Sequence, residues 1–351
     1  MRVKKALPFL IIILAINACQ PAQLTQPVFT RADTEIMQET RTAQATLRMS
    51  PALTNTITMA NTPTQKQIGE TTFSDLPKGR YIVYEAIGRN GSAIHAITDT
   101  GSDDKVIYKD SSGITIDLSK DQKYILMHVR GREYINLYSI EKATTTTIPD
   151  KDNCINEYIY VNTSWGPDGR VFAMRCGYQI DIISVPDGEV VGEIRNHNYG
   201  DENHLLYPTW SPNGKWMVFE LSAADKMDPD KGTFVVNTSC IINHEPCNYI
   251  FRLIPYIDTY EMKWTPDSQL AVMTSYNTIS VYDLDLFRIV KEIQIPLDIG
   301  GLVDSFAWSP DGEWIALETN MGICVMSITT GETRIIAPHQ DGTIKFWLEI
   351  K

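Results

Sequence analysis

The chain lacks any apolar run long enough to cross a bilayer as a helix: in 351 residues the longest, Ala6–Ile16, has eleven. It also lacks an excess of positive charge. With 31 Lys and Arg against 43 Asp and Glu, the formal net charge is −12. Such a surface repels phosphate backbones and anionic headgroups, so nucleic acid is not an expected partner. Catalytic signatures are missing too. The sequence has no Gly-x-Ser-x-Gly elbow, no His-Glu-x-x-His, no Walker loop and no Rossmann glycine set, so neither a catalytic residue nor a cofactor is expected. Ser139-Ile140-Glu141-Lys142 matches a Ser-x-x-Lys string, but it ends an expected strand rather than opening a helix. In the stretch Ala223–Gly232, Asp225, Asp228 and Asp230 lack the regular spacing of a calcium loop and read as a solvated insertion.

What is present begins with an export signal. Arg2, Lys4 and Lys5 precede the apolar run, which has the length of a signal-peptide hydrophobic region. Ile16-Asn17-Ala18-Cys19 follows and resembles the lipobox of bacterial lipoproteins: an aliphatic residue, a tolerant position, a small residue and the cysteine. The resemblance implies cleavage before Cys19 and a diacylglyceryl group on its sulfur. Two acyl chains bury enough methylene groups, at about 0.8 kcal/mol each, for stable membrane attachment. Residues 1–18 are therefore expected to be a lipoprotein signal peptide, and the mature chain to meet a membrane through the lipid on Cys19, facing the periplasm or cell exterior.

Residues 19–70 differ in character from the rest. Gln20–Glu70 holds eleven Thr and seven Gln with recurrent Pro, few aromatics and no sustained alternation of apolar and polar positions. That composition makes a poor core and reads as a flexible tether. Thr34–Met49 has enough Glu, Gln, Ala, Leu and Met for a marginal helix, with too few apolar residues to pack it.

Beyond the tether, 43% hydrophobic residues, 9% aromatics, 18 Pro and 21 Gly across the chain suit a turn-rich β protein with a real core. One phrase recurs four times. It reads Ser164-Trp165-Gly166-Pro167-Asp168-Gly169, Thr209-Trp210-Ser211-Pro212-Asn213-Gly214, Lys263-Trp264-Thr265-Pro266-Asp267-Ser268 and Ala307-Trp308-Ser309-Pro310-Asp311-Gly312. Leu118–Lys123 is a degenerate fifth copy and Leu76–Arg80 a weaker sixth. Taking Lys78, Asp121, Asp168, Asn213, Asp267 and Asp311 as equivalent gives spacings of 43, 47, 45, 54 and 44 residues, the period of four-stranded propeller blades. Pro presets one backbone angle of a tight turn, Asp or Asn tolerates the next position, and Gly closes it. The Trp before each turn ends one strand, where it can be buried between neighbouring sheets. An apolar second strand follows at Val171–Met174, Trp216–Phe219, Leu270–Met273 and Trp314–Leu317, with the near-continuous apolarity of burial on both faces.

This unit resembles the WD-repeat-like propeller of TolB-type periplasmic proteins over roughly Thr71–Lys351. The resemblance implies an all-β propeller of about six four-stranded blades for residues 71–351, and it implies fold rather than function. The first two repeats depart from it by lacking the Trp, and Ser268 stands where Gly is expected. Thr343–Ile350 looks like the Trp-bearing first strand of another repeat, whereas the first unit opens at Gly79–Tyr84 with what looks like a second strand. The C-terminal strand is therefore expected to complete the N-terminal blade and close the ring.

In an exported chain, disulfides are permitted. Cys154 precedes the first strand of the third blade and Cys176 ends its second, which places a bridge between them within reach. Cys240 and Cys247 flank a short loop in the fourth blade and form a second candidate pair. Cys324, in an apolar strand, reads as a small buried hydrophobe. No second close pair or nearby His completes a tetrahedral metal set. His197, His204, His244 and His339 fall in polar connecting segments.

Three functions are compatible with these features. The leading one is a non-catalytic binding or scaffold module for a protein, peptide or glycan. The others are a propeller lyase or hydrolase with an active site gathered in the central channel, and an envelope assembly factor of TolB-like type.

Overall fold

The structure is a computed structural model that describes residues 71–149, 154, 161–177, 179–185, 187–195, 204–222, 232–239, 250–255, 261–275, 277–340 and 342–351. The expected signal, Cys19, the expected tether and marginal helix, the insertion at 223–231 and the candidate pair Cys240 and Cys247 lie outside these residues.

The recurring phrase builds a hairpin from its own side chains. In the fourth copy, the Ser309 hydroxyl donates to Asp311 Oδ1 at 2.5 Å, and that oxygen accepts the Glu313 N–H at 3.0 Å. Asn213 does the same with Ser211 at 2.8 Å and the Lys215 N–H at 2.9 Å, and Asp168 accepts the Arg170 N–H at 3.0 Å. The degenerate copy is built alike, with Ser119 donating to Asp121 at 2.8 Å. The Asp is thus the hydrogen-bonding hub of the turn as well as a tolerant position. Gly169, Gly214 and Gly312 follow it at φ of 70°, 72° and 72°. Gln122 and Ser268 occupy the same left-handed place at φ of 58° and 69°, a conformation that L-residues with a side chain adopt only at a cost.

Each hairpin joins the innermost strand of a blade to its second strand, and two more antiparallel strands follow outward. From inside to outside, blade 1 is Thr343–Ile350, Gly79–Gly88, Gly91–Thr98 and Asp104–Asp110, and blade 2 is Ile114–Leu118, Tyr124–Val129, Tyr134–Ser139 and Thr144–Pro149. Blade 3 is Thr163–Trp165, Val171–Cys176, Gln179–Ser184 and Val190–Arg195, and blade 4 is His204–Trp210, Trp216–Ser222, Gly232–Asn237 and Ile250–Pro255. Blade 5 is Met262–Trp264, Leu270–Ser275, Thr278–Asp283 and Arg288–Gln294, and blade 6 is Val303–Trp308, Trp314–Thr319, Gly322–Ser327 and Thr333–Pro338. The protein is a six-bladed β-propeller. Every innermost strand touches the innermost strand of the next blade, and blade 6 touches blade 1, so the circle closes.

Closure uses the expected strand. Ile82 pairs with Trp347 and Tyr81 with Leu348. Among the described residues the apolar core falls into six clusters, one at each junction between neighbouring blades. The second strands supply their centres: Phe172, Met217, Leu270 and Ile315 are all buried.

Antiparallel alternation gives the ring two unlike faces. The turns after the innermost strands, with those between third and outer strands, make the turn face. The hairpins between second and third strands, with the connections from blade to blade, make the connection face. A disulfide joins Cys154, in the connection from blade 2 to blade 3, to Cys176 at the end of a second strand, with the Cα atoms 4.8 Å apart.

Three sequence expectations are corrected. Leu76–Arg80 is not a hairpin between consecutive strands, because the strand that precedes Gly79–Gly88 in the sheet is Thr343–Ile350. His204 opens the innermost strand of blade 4 rather than lying in a connection. Trp165 and Trp210 are buried between sheets, but Trp264 and Trp308 are only half-buried.

Candidate functional site around the propeller axis

The innermost strands of blades 2, 3 and 6, Glu261 just ahead of that of blade 5, and Glu85 on the second strand of blade 1 bring charged and hydroxyl side chains around the axis. Glu85 Oε1 of blade 1 accepts the Ile114 N–H of blade 2 at 3.1 Å, and Asp117 Oδ2 of blade 2 accepts the Trp165 N–H of blade 3 at 3.1 Å. Ser164 Oγ of blade 3 accepts the Trp210 N–H of blade 4 at 2.8 Å. Glu261 Oε2 of blade 5 accepts the Phe306 N–H of blade 6 at 2.7 Å, and Ser305 Oγ of blade 6 accepts the Ile344 N–H of blade 1 at 2.8 Å. These bonds form a hoop in which a side chain of one blade satisfies a backbone donor of the next. Among the described residues the junction of blades 4 and 5 has no such bond at the innermost strands. Its tie lies on the turn face, where Ser268 Oγ accepts the Asn213 N–H at 3.0 Å.

Two lysines complete the axial charge. Lys263 Nζ lies 3.1 Å from Glu261 Oε1, and Lys345 Nζ lies 2.9 Å from Glu85 Oε2. Removal from water pushes the Asp117 carboxyl up to about 7, against the opposing pull of the Trp165 N–H and the Lys263 ammonium. Blades 2 and 5 stand opposite one another in a ring of six, so the attraction between Asp117 and Lys263 acts across the axis. Burial also raises the Glu261 carboxyl, although Lys263 and the Phe306 N–H pull it down. Tyr207, at the corresponding place in blade 4, is 52% exposed and held at φ 52° beside an irregularity in strand pairing between Leu206 and Thr209. Tyr207-Pro208 inside a strand was the available signal for that bulge.

The turn-signature tryptophans carry part of this frame. Trp165 Nε1 donates to the Asp117 carbonyl at 3.2 Å, and Trp347 Nε1 donates to the Ala307 carbonyl at 3.0 Å. Among the described residues the buried indole N–H groups of Trp264 and Trp308 have no hydrogen-bond partner. Pro167, Pro212, Pro266 and Pro310 sit in the turns, and the Pro212 carbonyl accepts from Lys120 Nζ at 2.7 Å.

Elsewhere, blade 1 holds a Tyr-Asp-His set that sequence reading missed because its members come from three strands. Tyr84 donates to Asp104 Oδ2 at 2.9 Å, His95 Nδ1 is 3.2 Å from the same oxygen, and the Tyr84 and His95 rings stack with centroids 4.9 Å apart. Burial first, and Asp104 second, push the Tyr84 phenol far above its usual value. The set clasps strands together. Ser139 Oγ accepts the Lys142 N–H at 3.3 Å, so the Ser-x-x-Lys string is a strand-ending turn. Cys324 is buried and unbridged, with the Thr319 hydroxyl 3.5 Å from its sulfur. His339 lies exposed after the outer strand of blade 6. Cys154, Cys176 and Asp181 place three ligand-type atoms within 4.8 Å of one another, but the two sulfurs are bonded to each other.

Six four-stranded blades with Trp-Pro-Asp turns and a closing strand define a six-bladed β-propeller. TolB from Acinetobacter baumannii superposes with a TM-score of 0.54 at 16% identity, over 77% of this chain and 66% of that one, slightly less than two thirds of its length. A chain from the crystal structure of a nidogen/laminin complex superposes with a TM-score of 0.52 at 10% identity, over 77% of this chain and 98% of that one. At such identities the likeness is one of fold. No family model and no curated protein matches the sequence. Among the described residues no helix is long and apolar enough to cross a membrane.

Proposed function

We propose that the protein is an extracytoplasmic binding or scaffold module with no chemistry of its own, anchored by lipid on Cys19 and presenting its propeller to a protein, peptide or glycan. The observation that carries this reading is the hoop. Glu85, Asp117, Ser164, Glu261 and Ser305 are acidic and hydroxyl groups around the axis that could otherwise act on a substrate, and each accepts a backbone N–H of the next blade, while Lys263 and Lys345 are paired with Glu261 and Glu85. Supporting it, one propeller of similar fold was solved within a nidogen/laminin complex. The lipobox-like Ile16–Cys19 and the tether composition of residues 19–70 support anchoring outside the cytoplasm.

Two measurements test the two halves. Mass spectrometry of the mature N-terminus should find a diacylated Cys19, and an unmodified Cys19 or a start elsewhere removes the anchor. Crosslinking in intact cells should recover a bound partner. Turnover of a model substrate that disappears in Asp117→Asn, with no partner recovered, would replace the binding reading with an enzyme acting at the axis.

A further inference from the structure

The connection face carries an apolar ridge that is exposed among the described residues. Leu297, in the 3-10 turn Leu297–Ile299 between blades 5 and 6, is 74% exposed, and Leu302 just after it is 46% exposed. Met321, in the hairpin between the second and third strands of blade 6, is 38% exposed. Isolated exposed leucines need no explanation, but Leu297 and Leu302 flank one tight turn that packs on the hairpin carrying Met321. A methyl built on Gly301 would lie 2.9 Å from the Leu297 side chain, and one built on Gly300 would lie 2.8 Å from Met321 Cγ. Both glycines have positive φ, at 107° and 39°, so the chain is folded tightly against the blade 6 hairpin. Between the two leucines, Ile299 is buried in the core of the blade 5 and 6 junction, and the Gly300 N–H donates to the Leu297 carbonyl at 3.1 Å. The leucines are therefore presented on a pinned loop.

The charge around the ridge selects its occupant. Asp298 and Asp304 flank the leucines, both exposed, and neither has an ion pair or hydrogen-bond partner among the described residues. We propose that Leu297, Leu302 and Met321 form a docking surface for a protein segment that sets apolar anchors beside Lys or Arg. An anionic lipid surface would meet the unpaired carboxylates with like charge, and so would the same ridge of a second copy. This inference rests on the reading of the propeller as a binding module and adds the surface and the chemistry of the partner.

Its test is photo-crosslinking in intact cells with benzoylphenylalanine placed, one at a time, at Leu297, Leu302 and Met321, and at Lys120 and Arg170 on the turn face as controls. The ridge positions should give a protein adduct whose crosslinked peptide carries apolar residues next to Lys or Arg, and the controls should not. Adding Asp298→Lys and Asp304→Lys should lower the adduct yield by roughly tenfold, with an unchanged thermal melt because both sites are exposed. An unchanged yield, an adduct with lipid or a second copy, or a crosslinked peptide without basic residues overturns the proposal. Adducts only from Lys120 or Arg170 overturn it while leaving the binding-module reading intact. No adduct from any position overturns both.

Discussion

The two faces of the propeller are built on different rules. On the turn face, the repeated phrase satisfies its own backbone, and turns of different blades are braced together. Arg80 bonds Asp311 at 2.9 Å, Lys120 reaches Pro212, Lys215 pairs with Asp285, and Ser268 holds Asn213. On the connection face no phrase repeats. Its order comes from local devices, a disulfide at blade 3 and a glycine pair folded onto the hairpin at blade 6, and it exposes apolar residues such as Ile87, Leu297 and Met321. Leu286 stands exposed in a turn on the turn face. The repeated sequence encodes the frame, and the unrepeated sequence is left free to differ from blade to blade. Changes on the turn face and at the closure should therefore cost stability, and changes on the ridge should cost binding.

The largest effect is expected at the closure. Trp347→Ala removes a buried indole, its bond to the Ala307 carbonyl and the Arg80 guanidinium stacked 4.9 Å from its ring. It should lower unfolding free energy by about 3–5 kcal/mol in a denaturant titration. Next, Cys154→Ser with Cys176→Ser opens a bridge of sequence separation 22 and should cost about 3 kcal/mol by the same measurement. Both changes should leave ridge crosslinking intact at temperatures where the fold persists.

The axis sharpens the comparison through pH. The Asp117 carboxyl titrates near 4 when unfolded but at about 7 in the folded chain. The unfolded state therefore loses its proton first, and this group makes stability fall as pH rises from about 4 to about 7 and level off above. Asp117→Asn keeps an acceptor for the Trp165 N–H and should remove a component on the order of 4 kcal/mol at most from that decline, read from melts across the window.

The smallest effect tests the turn itself. Ser268→Ala keeps a left-handed residue but loses the Asn213 tie, and should cost about 1 kcal/mol. Ser268→Gly loses the same tie but relieves the backbone, so it should fall within about 0.5 kcal/mol of the parent. Equal losses in the two would mean that the left-handed angle at Ser268 carries no strain.

The frame was legible in sequence because it repeats. Trp165, Trp210, Trp264 and Trp308 with their Pro-Asp turns set the blade period, and Trp347 in an unpaired unit pointed to the closing strand. The hoop was not legible. Glu85, Asp117, Glu261 and Ser305 bond to blades far along the chain, and each looks in sequence like an ordinary polar strand residue. Gln122 and Ser268 look like decay of the repeat because they lack the expected Gly. In the structure both hold a backbone N–H from the preceding blade, Gln122 that of Glu349 at 2.7 Å and Ser268 that of Asn213. The ridge was hidden for a similar reason, since Gly300-Gly301 matters only through the hairpin it packs against.

The closing strand has a mechanical consequence. Gly79–Gly88 is hydrogen-bonded on one edge to Gly91–Thr98 and on the other to Thr343–Ile350. A pull transmitted along the chain ahead of Gly79 thus meets a strand clamped on both edges and loaded lengthwise, so two ladders must shear together. An edge strand under the same pull would unzip one bond at a time. The chain that enters the ring at Gly79 therefore does so at a position suited to bearing load.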